Sequence, residues 1–354
     1  MANRRQPPVT IKDVAQACGV APSTVSNALT GKGYVRTKTR EQVIAAAAQL
    51  GYRASSLARG LRLQRTWTVG VLLADIANPF FPDLVRGMED VLWARHFNLM
   101  LCNTDYDKEK EAAYLHHLVD KRLDGLILAS TAADSPEVML LRERGVPFVM
   151  LNRRHRTLAT DYVGIDNRRG TAGVVQHLAE LGHSRIAFIR GPQDSSAAED
   201  RYSGYLDEMR RRFAVFDEQL IAPGDYSIDA GRRACAQLLS LDRPPTAIVS
   251  ANDFMAIGAM AVLRERGVTV PGDMSVTGFD DIYVSALPWI DLTTLRPHSW
   301  ELGARAAEVL LARIDKTANG PADIVLPPTL IHRGTTAPPG SSMSPLPRAG
   351  EGTK

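Results

Sequence analysis

The stretch Thr10-Ile-Lys-Asp-Val-Ala-Gln-Ala-Cys-Gly-Val-Ala-Pro-Ser-Thr-Val-Ser-Asn27 constrains this chain more than any other. Ile11, Val14, Ala15 and Cys18 recur at i, i+3, i+4 and i+7, which gathers them on one face of a short helix. Gly19 supplies the positive φ that a tight interhelical turn often needs. Val20 and Val25 bring the chain back to the same small core, and Ser23 is placed to cap or begin a second helix. A third amphipathic helix is expected over about Thr37 to Leu50, with Val43, Ile44, Ala47 and Leu50 facing inward. Three such helices make one compact module, and packing leaves Ser23, Thr24, Ser26 and Asn27 unclaimed on the second. In a helix-turn-helix that second helix lies in the major groove. There hydroxyls reach bases or phosphates, and an Asn can pair bidentately with adenine.

The same geometry occurs in proteins that never touch nucleic acid, and charge separates the two readings. Residues 1–65 hold 11 Arg and Lys against Asp13 and Glu41 alone, and 11 minus 2 gives +9. The whole chain is +3, so the remainder carries about −6 by subtraction. A basic head on an acidic body is the footprint of polyanion binding.

At 354 residues the chain suits a small head and a two-lobed body. No apolar run approaches the ~20 residues that span a bilayer, and the N-terminus lacks the apolar core of a secretion signal, so the expected location is the cytoplasm with no membrane partner. Cys18, Cys102 and Cys235 are widely separated and show no metal-ligand spacing, which reads as reduced thiols and no metal site. No catalytic constellation emerges: Ser195-Ser196 lacks a glycine elbow, His116 and His117 point to different helix directions, and His183 fits a structural role before a strand. No phosphate-cradling Gly-rich motif is present, and no cofactor is expected.

Between head and body, Tyr52 to Thr66 is poorer in Gly, Pro and Ser than a plain linker. Leu57, Ala58 and Leu61 can line one face of a short helix. The segment is too short and too positive to be stable alone, and Gly60 weakens it by about 0.5–1 kcal/mol relative to Ala. It is expected to fold against a partner. Further on, short apolar runs alternate with amphipathic stretches. Strands are expected near Thr68 to Ala74, Asn98 to Cys102, Asp124 to Ala129 and Pro147 to Leu151. A second series is expected at Arg185 to Ile189, Ala247 to Ser250 and Ser275 to Gly278. Strands alternating with helices imply parallel doubly wound sheets, and two series imply two lobes.

The chain resembles the LacI family of transcriptional regulators over about residues 9 to 335. The resemblance rests on Val-Thr-Ile-Lys-Asp-Val-Ala at 9–15, Ser-Thr-Val-Ser-Asn at 23–27, Gly-Tyr-Val at 33–35, Lys-Thr-Arg at 38–40 and Leu-Gly-Tyr at 50–52. In the body it rests on Asn-Pro-Phe-Phe at 78–81, Asp-Gly-Leu-Ile-Leu at 124–128, Gly-His-Ser-Arg-Ile-Ala-Phe-Ile at 182–189 and Thr-Gly-Phe-Asp-Asp at 277–281. It implies an N-terminal all-α helix-turn-helix head and a hinge helix. These precede an α/β two-lobed core like that of periplasmic binding proteins, with parallel doubly wound sheets. The implied division is a head over 8–54, hinge helix and linker over 55–66, an effector-binding and dimerisation core over 67–335, and a disordered tail over 336–354. Lobe 1 takes about 67–166 and 298–320, lobe 2 about 167–297 and 321–335, with crossovers near Asp166, Pro297 and Pro321.

The resemblance implies DNA contacts from Thr10, Pro22, Ser23, Thr24, Ser26, Asn27, Tyr34, Thr39 and Tyr52, and in the hinge from Ser55, Ala58, Arg59 and Leu61. Leu61 matches a leucine that wedges between central base pairs, a device that kinks the duplex; packing on the body is its alternative. Ala54 and Gly60 depart from a common proline and a frequent serine, which loosens the hinge.

In the cleft between lobes the resemblance implies effector contacts from Asp75, Phe80, Phe81, Arg201, Tyr226, Asn252 and Asp280. An arginine fork suits two acceptors at once. Each residue has a plainer alternative: Phe81 in the core, Arg201 paired with Asp200, Asp280 or Asp281 capping a helix. Ser195 and Ala197 stand where purine-binding relatives carry Arg and Thr, which argues against a purine and leaves sugars, sugar acids and related metabolites open. The function expected is an effector-controlled repressor that binds a palindromic operator as a homodimer. The competing class is a sugar-binding module without DNA regulation, which leaves the basic head unexplained. Asn27, standing where several relatives carry Arg, points to adenine at its operator position.

Overall fold

A computed structural model describes residues 9–31, 33–52, 65–214 and 216–340. The expected hinge contacts Ser55, Ala58, Arg59 and Leu61, and most of the expected tail, lie outside the described residues. The chain divides into two compact units, one ending at Thr66 and one beginning at Trp67.

In the first unit, α1 (Ile11–Cys18) ends at Gly19, whose φ of +63° is the left-handed conformation that glycine adopts without a Cβ penalty. α2 (Pro22–Thr30) starts with Pro22 in its first turn, where a missing N–H costs nothing. Ser23 therefore lies inside the helix, and Ala21 is the N-cap. α3 (Thr37–Gln49) closes the bundle. The core is thin: Val14, Ala15, Val25, Ala28, Val43 and Ala47 are buried, with Ile11, Cys18 and Val20 partly so. Ile44 and Leu50, expected to face inward, are exposed. One turn of a 13-residue helix suffices to cover so small a core, and Val43 and Ala47 supply it.

The second unit contains two parallel sheets. In the first, β1 (Thr68–Leu73), β2 (Asn98–Asn103), β3 (Gly125–Leu128), β4 (Phe148–Leu151) and β5 (Tyr162–Ile165) are joined by a late strand, β11 (Asp323–Leu326), in the order β11-β5-β4-β3-β1-β2. The helices α4 (Phe80–Ala94), α5 (Lys108–Asp120) and α6 (Pro136–Glu143) connect its early strands. The second sheet takes β6 (Ile186–Ile189), β7 (Ile221–Ala222), β8 (Ala247–Ser250) and β9 (Ser275–Thr277) in the order β7-β6-β8-β9. Its helices are α7 (Asn167–Glu180), α8 (Ser196–Arg212), α9 (Ile228–Leu239) and α10 (Asp253–Glu265). The inner strands are apolar on both faces and fully buried, as a sheet covered by helices on both sides requires.

A short antiparallel pair, β10 (Thr294–Arg296) with β12 (Thr329–Ile331), and α11 (Ser299–Ile314) complete the body. α11 packs along α4 at very close range. A Cβ on Gly87 would sit 1.9 Å from the Trp300 carbonyl oxygen, and one on Gly303 would sit 2.0 Å from that of Leu84. The two glycines let the helix backbones touch.

One expected crossover moves. Pro321 does not return the chain to lobe 2, because β11 follows it and pairs in register with β5, Leu326 opposite Ile165. The return comes after Leu326, and β12 then pairs with β10. Residues 321–326 thus belong to lobe 1. The other two crossings lie between β5 and α7 and between β10 and α11.

Candidate functional site

Two polar surfaces stand out, one on each unit. On α2, Val25 and Ala28 turn inward and are 0% and 4% exposed. Ser23 and Asn27 are exposed, and Thr24 and Ser26 are half-buried. The Asn27 side chain borders the following loop, since a Cβ on Gly33 would meet its amide nitrogen at 3.1 Å. Tyr34 is 92% exposed. Lys12, Arg36 and Lys38 are exposed on the same small unit. Thr10 is engaged locally: the Asp13 carboxylate accepts from its backbone N–H at 2.7 Å and from its hydroxyl at 2.8 Å, which holds Asp13 below the usual carboxylate range. Tyr52 packs against the three-helix core and Thr39 is half-buried.

On the body, a cleft of about 910 Å³ opens between the lobes and narrows to a floor of about 30 Å³. The strand C-termini of both sheets feed it, the usual position for ligand in open α/β folds. Phe80, Phe81, Arg201, Tyr226, Asn252 and Asp280 all line the floor, and Asp75 lines the mouth. The structure therefore brings the expected cleft residues together, but most are already occupied. Arg201, 3% exposed, donates through Nε to Asn167 Oδ1 at 2.8 Å and through Nη1 to the Ala251 carbonyl at 2.5 Å. It lies flat on the Phe279 ring and 3.7 Å from Asp280. The alternative pairing with Asp200 does not form; Asp280 is its ionic partner. Asn252 caps α10 by accepting from the Met255 N–H at 3.0 Å, and its Nδ2 donates to the Tyr226 carbonyl at 3.0 Å.

Asp280 is buried, and burial pushes its carboxyl up to about 8, with Arg201 opposing and Asp253 adding to the rise. Its φ of +122° is backbone that non-glycine residues rarely adopt, a kind of strain that persists where surroundings enforce it. It caps no helix. Neither does Asp281, which binds Arg296 and Arg333, each at 2.6 Å. Asp253, at 0% exposure, accepts from Thr294 Oγ1, Ser285 Oγ and the Ile282 N–H, yet burial still pushes it up to about 6. Phe80 and Phe81 meet edge to face, with centroids 5.2 Å apart, and are both buried.

The sequence reading missed Tyr106, Asn152, Arg153 and Glu111. Tyr106 and Tyr226 face each other across the cleft, centroids 6.4 Å apart. Both have positive φ, +58° and +73°. Arg153 is buried, donates to the Ser130 carbonyl at 2.7 Å and lies 5.9 Å from the Tyr106 ring. Asn152 Oδ1 and Ser130 Oγ, both from cleft-lining residues, are buried without a hydrogen-bond partner among the described residues. Glu111 is buried at the mouth, and burial pushes its carboxyl up to about 7 against the pull of Arg153. The signal for Asn152 and Arg153 was available: they directly follow an expected strand, where cleft residues fall. Across the mouth, the Asp194 carbonyl accepts from the Ala133 N–H at 3.2 Å, Ser196 Oγ accepts from the Arg154 N–H at 2.7 Å, and Lys108 pairs with Asp194 at 3.4 Å.

Among the described residues no group of three or more His, Cys, Asp or Glu is placed to hold a metal ion, and no helix is long and apolar enough to cross a membrane.

Comparison with known proteins agrees with this architecture. Residues 66–334 match the profile of periplasmic binding proteins and the sugar-binding domain of the LacI family. Residues 10–55 match bacterial regulatory proteins of the lacI family. The ribose operon repressor of Escherichia coli strain K12 is 36% identical over 327 residues, covering 92% of this chain and 99% of the repressor. The lac repressor dimer bound to operator and the anti-inducer ONPF superposes with a TM-score of 0.84 at 29% identity, covering 94% of this chain and all of that one. A LacI family regulator from Enterococcus faecium with bound ribose gives 0.70 at 32% identity, covering 77% of this chain and 99% of that one.

Proposed function

Because the chain belongs to the LacI family of bacterial regulatory proteins, we propose that it acts in the cytoplasm as a repressor that grips a palindromic operator as a homodimer and is switched by a sugar-like effector in the interlobe cleft. The observation that carries the DNA side is the division of α2. Its apolar residues Val25 and Ala28 are spent on the core, while Ser23 and Asn27 stand outward on a unit rich in exposed cations. Side chains so placed are free to contact base edges, and the surrounding Lys and Arg supply sequence-independent attraction. In this reading residues 8–54 are the DNA-binding head, 55–66 the hinge that couples it, and 67–335 the effector and dimerisation core.

In the cleft, the reading assigns ligand contact to Asp280, Tyr226, Asp75 and Phe80 and adds Tyr106, Asn152 and Arg153. Arg201 and Asn252 act chiefly by holding these groups in place. The floor holds about one water molecule's volume. A sugar ring is larger than that floor, so in this reading binding there widens the floor and is tied to lobe movement. Operator and effector are then coupled sites, and each alters the other's affinity by the same factor. No reaction is assigned to the cleft. A sugar-binding module without DNA regulation accounts for the cleft but gives no role to the outward face of α2.

The test is selection from a labelled palindromic operator library at moderate salt, with the dimer as the binding species. A defined half-site preference is expected, lost on deletion of residues 1–65 while ligand binding persists. Binding indifferent to sequence rejects the regulator reading.

A further inference from the structure

Asp281 follows the floor residue Asp280 and lines neither part of the cleft. Its carboxylate, 5% exposed, receives two guanidinium groups: Arg296 Nε donates to Oδ2 and Arg333 Nη2 to Oδ1, each at 2.6 Å. The two arginines come from opposite ends of the β10–β12 pair. Arg296 ends β10, just before the chain leaves lobe 2 for α11. Arg333 lies beyond the other end, where its Nη1 also donates to the Leu292 carbonyl at 2.7 Å. Two residues past Arg296, His298 Nε2 sits 3.0 Å from Thr329 Oγ1, which joins the departing chain to the returning one.

The floor loop is laced to the same stretch through its main chain. The Gly278 N–H donates to the Thr293 carbonyl at 3.0 Å and the Asp280 N–H to the Leu295 carbonyl at 2.9 Å, one residue short of Arg296. Asp280 and Asp281 both have positive φ, +122° and +47°, a conformation that persists only where contacts on several sides enforce it. One side is the floor, where the Asp280 carboxylate lies 3.7 Å from Arg201 Nη1. The other is the double grip of Asp281. Charge-assisted bonds of this kind are short and directional, and among the described residues neither Arg296 nor Arg333 has a second ion-pair partner. Without the carboxylate, two like charges would face each other at the root of the interlobe connection.

Resting on the reading of operator and cleft as coupled sites, we propose that Asp281 is a positioning residue. It carries the arrangement of the floor, set at Asp280, to Arg296 at the point where the chain leaves lobe 2, and so ties the state of the cleft to lobe orientation without touching either ligand. Arg296 is the replaceable arm of this joint, since its side chain is 50% exposed whereas that of Arg333 is 12% exposed and also holds the Leu292 carbonyl. An ion pair with one exposed member adds little to stability, so Arg296→Gln should unlock the joint and leave the body's thermal transition in place.

Coupling is reciprocal, so operator binding must be felt at the floor. On the full-length dimer, hydrogen exchange of the amides of residues 278–282 is measured with and without the operator selected from the palindromic library. The unmodified protein is expected to change its exchange there by about fivefold or more when operator saturates it. Arg296→Gln should bind the same operator yet change by less than about twofold, and Arg296→Lys, which keeps a cation for Asp281, should recover most of the difference. A body that had only lost stability would exchange faster with and without DNA; here the operator-dependent difference alone disappears. An undiminished change in Arg296→Gln overturns the role given to Asp281, as does the absence of any change at the floor of the unmodified protein, and both leave the operator reading standing. Failure of Arg296→Lys to recover the difference rejects the ion pair as the link. Selection of no operator removes the regulator reading and this inference together.

Discussion

The outward face of α2 and the floor of the cleft are both rows of polar side chains, yet they are built on opposite principles. On α2 the packing is done by Val25 and Ala28, and Ser23 and Asn27 can be exchanged without touching the core. At the floor Arg201 and Asn252, and behind them Asn167 and Asp253, are themselves the packing, each buried and hydrogen-bonded to backbone or to one another. Recognition surface and scaffold are separable in the head and fused in the body. On the proposed reading a polar residue in the first place serves binding alone; in the second it contributes to stability first.

The largest effect that could break this contrast lies in the head's core. Val25→Asp buries an unpaired charge among five other small buried side chains, which costs several kcal/mol, roughly the stability of a module this size. Loss of operator binding is expected, with the body's calorimetric transition unchanged; residual specific binding would show the core to be less essential than its burial implies. Next, Arg201→Ala leaves Asp280, Asn167 and the Ala251 carbonyl without their shared donor, and removing one partner of such a buried pair costs about 3–5 kcal/mol. Chemical denaturation of the body should register that loss even without ligand. An unchanged midpoint would make Arg201 a ligand contact and not a brace.

Asn27→Ala is expected to move head stability by under about 0.5 kcal/mol while costing about 1–3 kcal/mol of discrimination at one operator base. Asn27→Arg should shift that position from adenine toward guanine, and binding to a base-substituted operator series reads both. A further effect is a slope. Burial raises Asp280 to about 8, Glu111 to about 7 and Asp253 to about 6, so between about pH 4 and pH 8 the folded body holds protons that the unfolded chain has released. Their contribution is full below about pH 4 and lost as pH rises through those values. Denaturation midpoints should fall over that range, less steeply in Asp280→Asn. A slope of opposite sign would show that ion pairing at Asp280 outweighs its desolvation.

The same contrast explains what was legible in the sequence. Periodicity located the three head helices and seven body strands, because buried stripes and apolar runs are local patterns. It missed Tyr162–Ile165 and Asp323–Leu326, short runs that become strands by pairing with each other across 161 residues of chain, Tyr162 opposite Asp323. It also placed Ile44 and Leu50 inside a core too small to need them. In the cleft, the residues singled out by identity come together along one cavity. Whether Arg201 faces a ligand or Asn167 depends on tertiary contacts that no local pattern encodes.

The pairing of those late strands has a mechanical consequence. The chain passes between lobes after Ile165, after Arg296 and after Leu326; Ile165 and Leu326 are register partners on one side, Arg296 and Thr329 on the other. The third passage is thus held by a strand partner at each end, and each of the other two is tied to it at one end, Ile165 on the lobe 1 side and Arg296 on the lobe 2 side. Neighbouring strand ends bound in this way resist sliding of one lobe past the other more than bending between them.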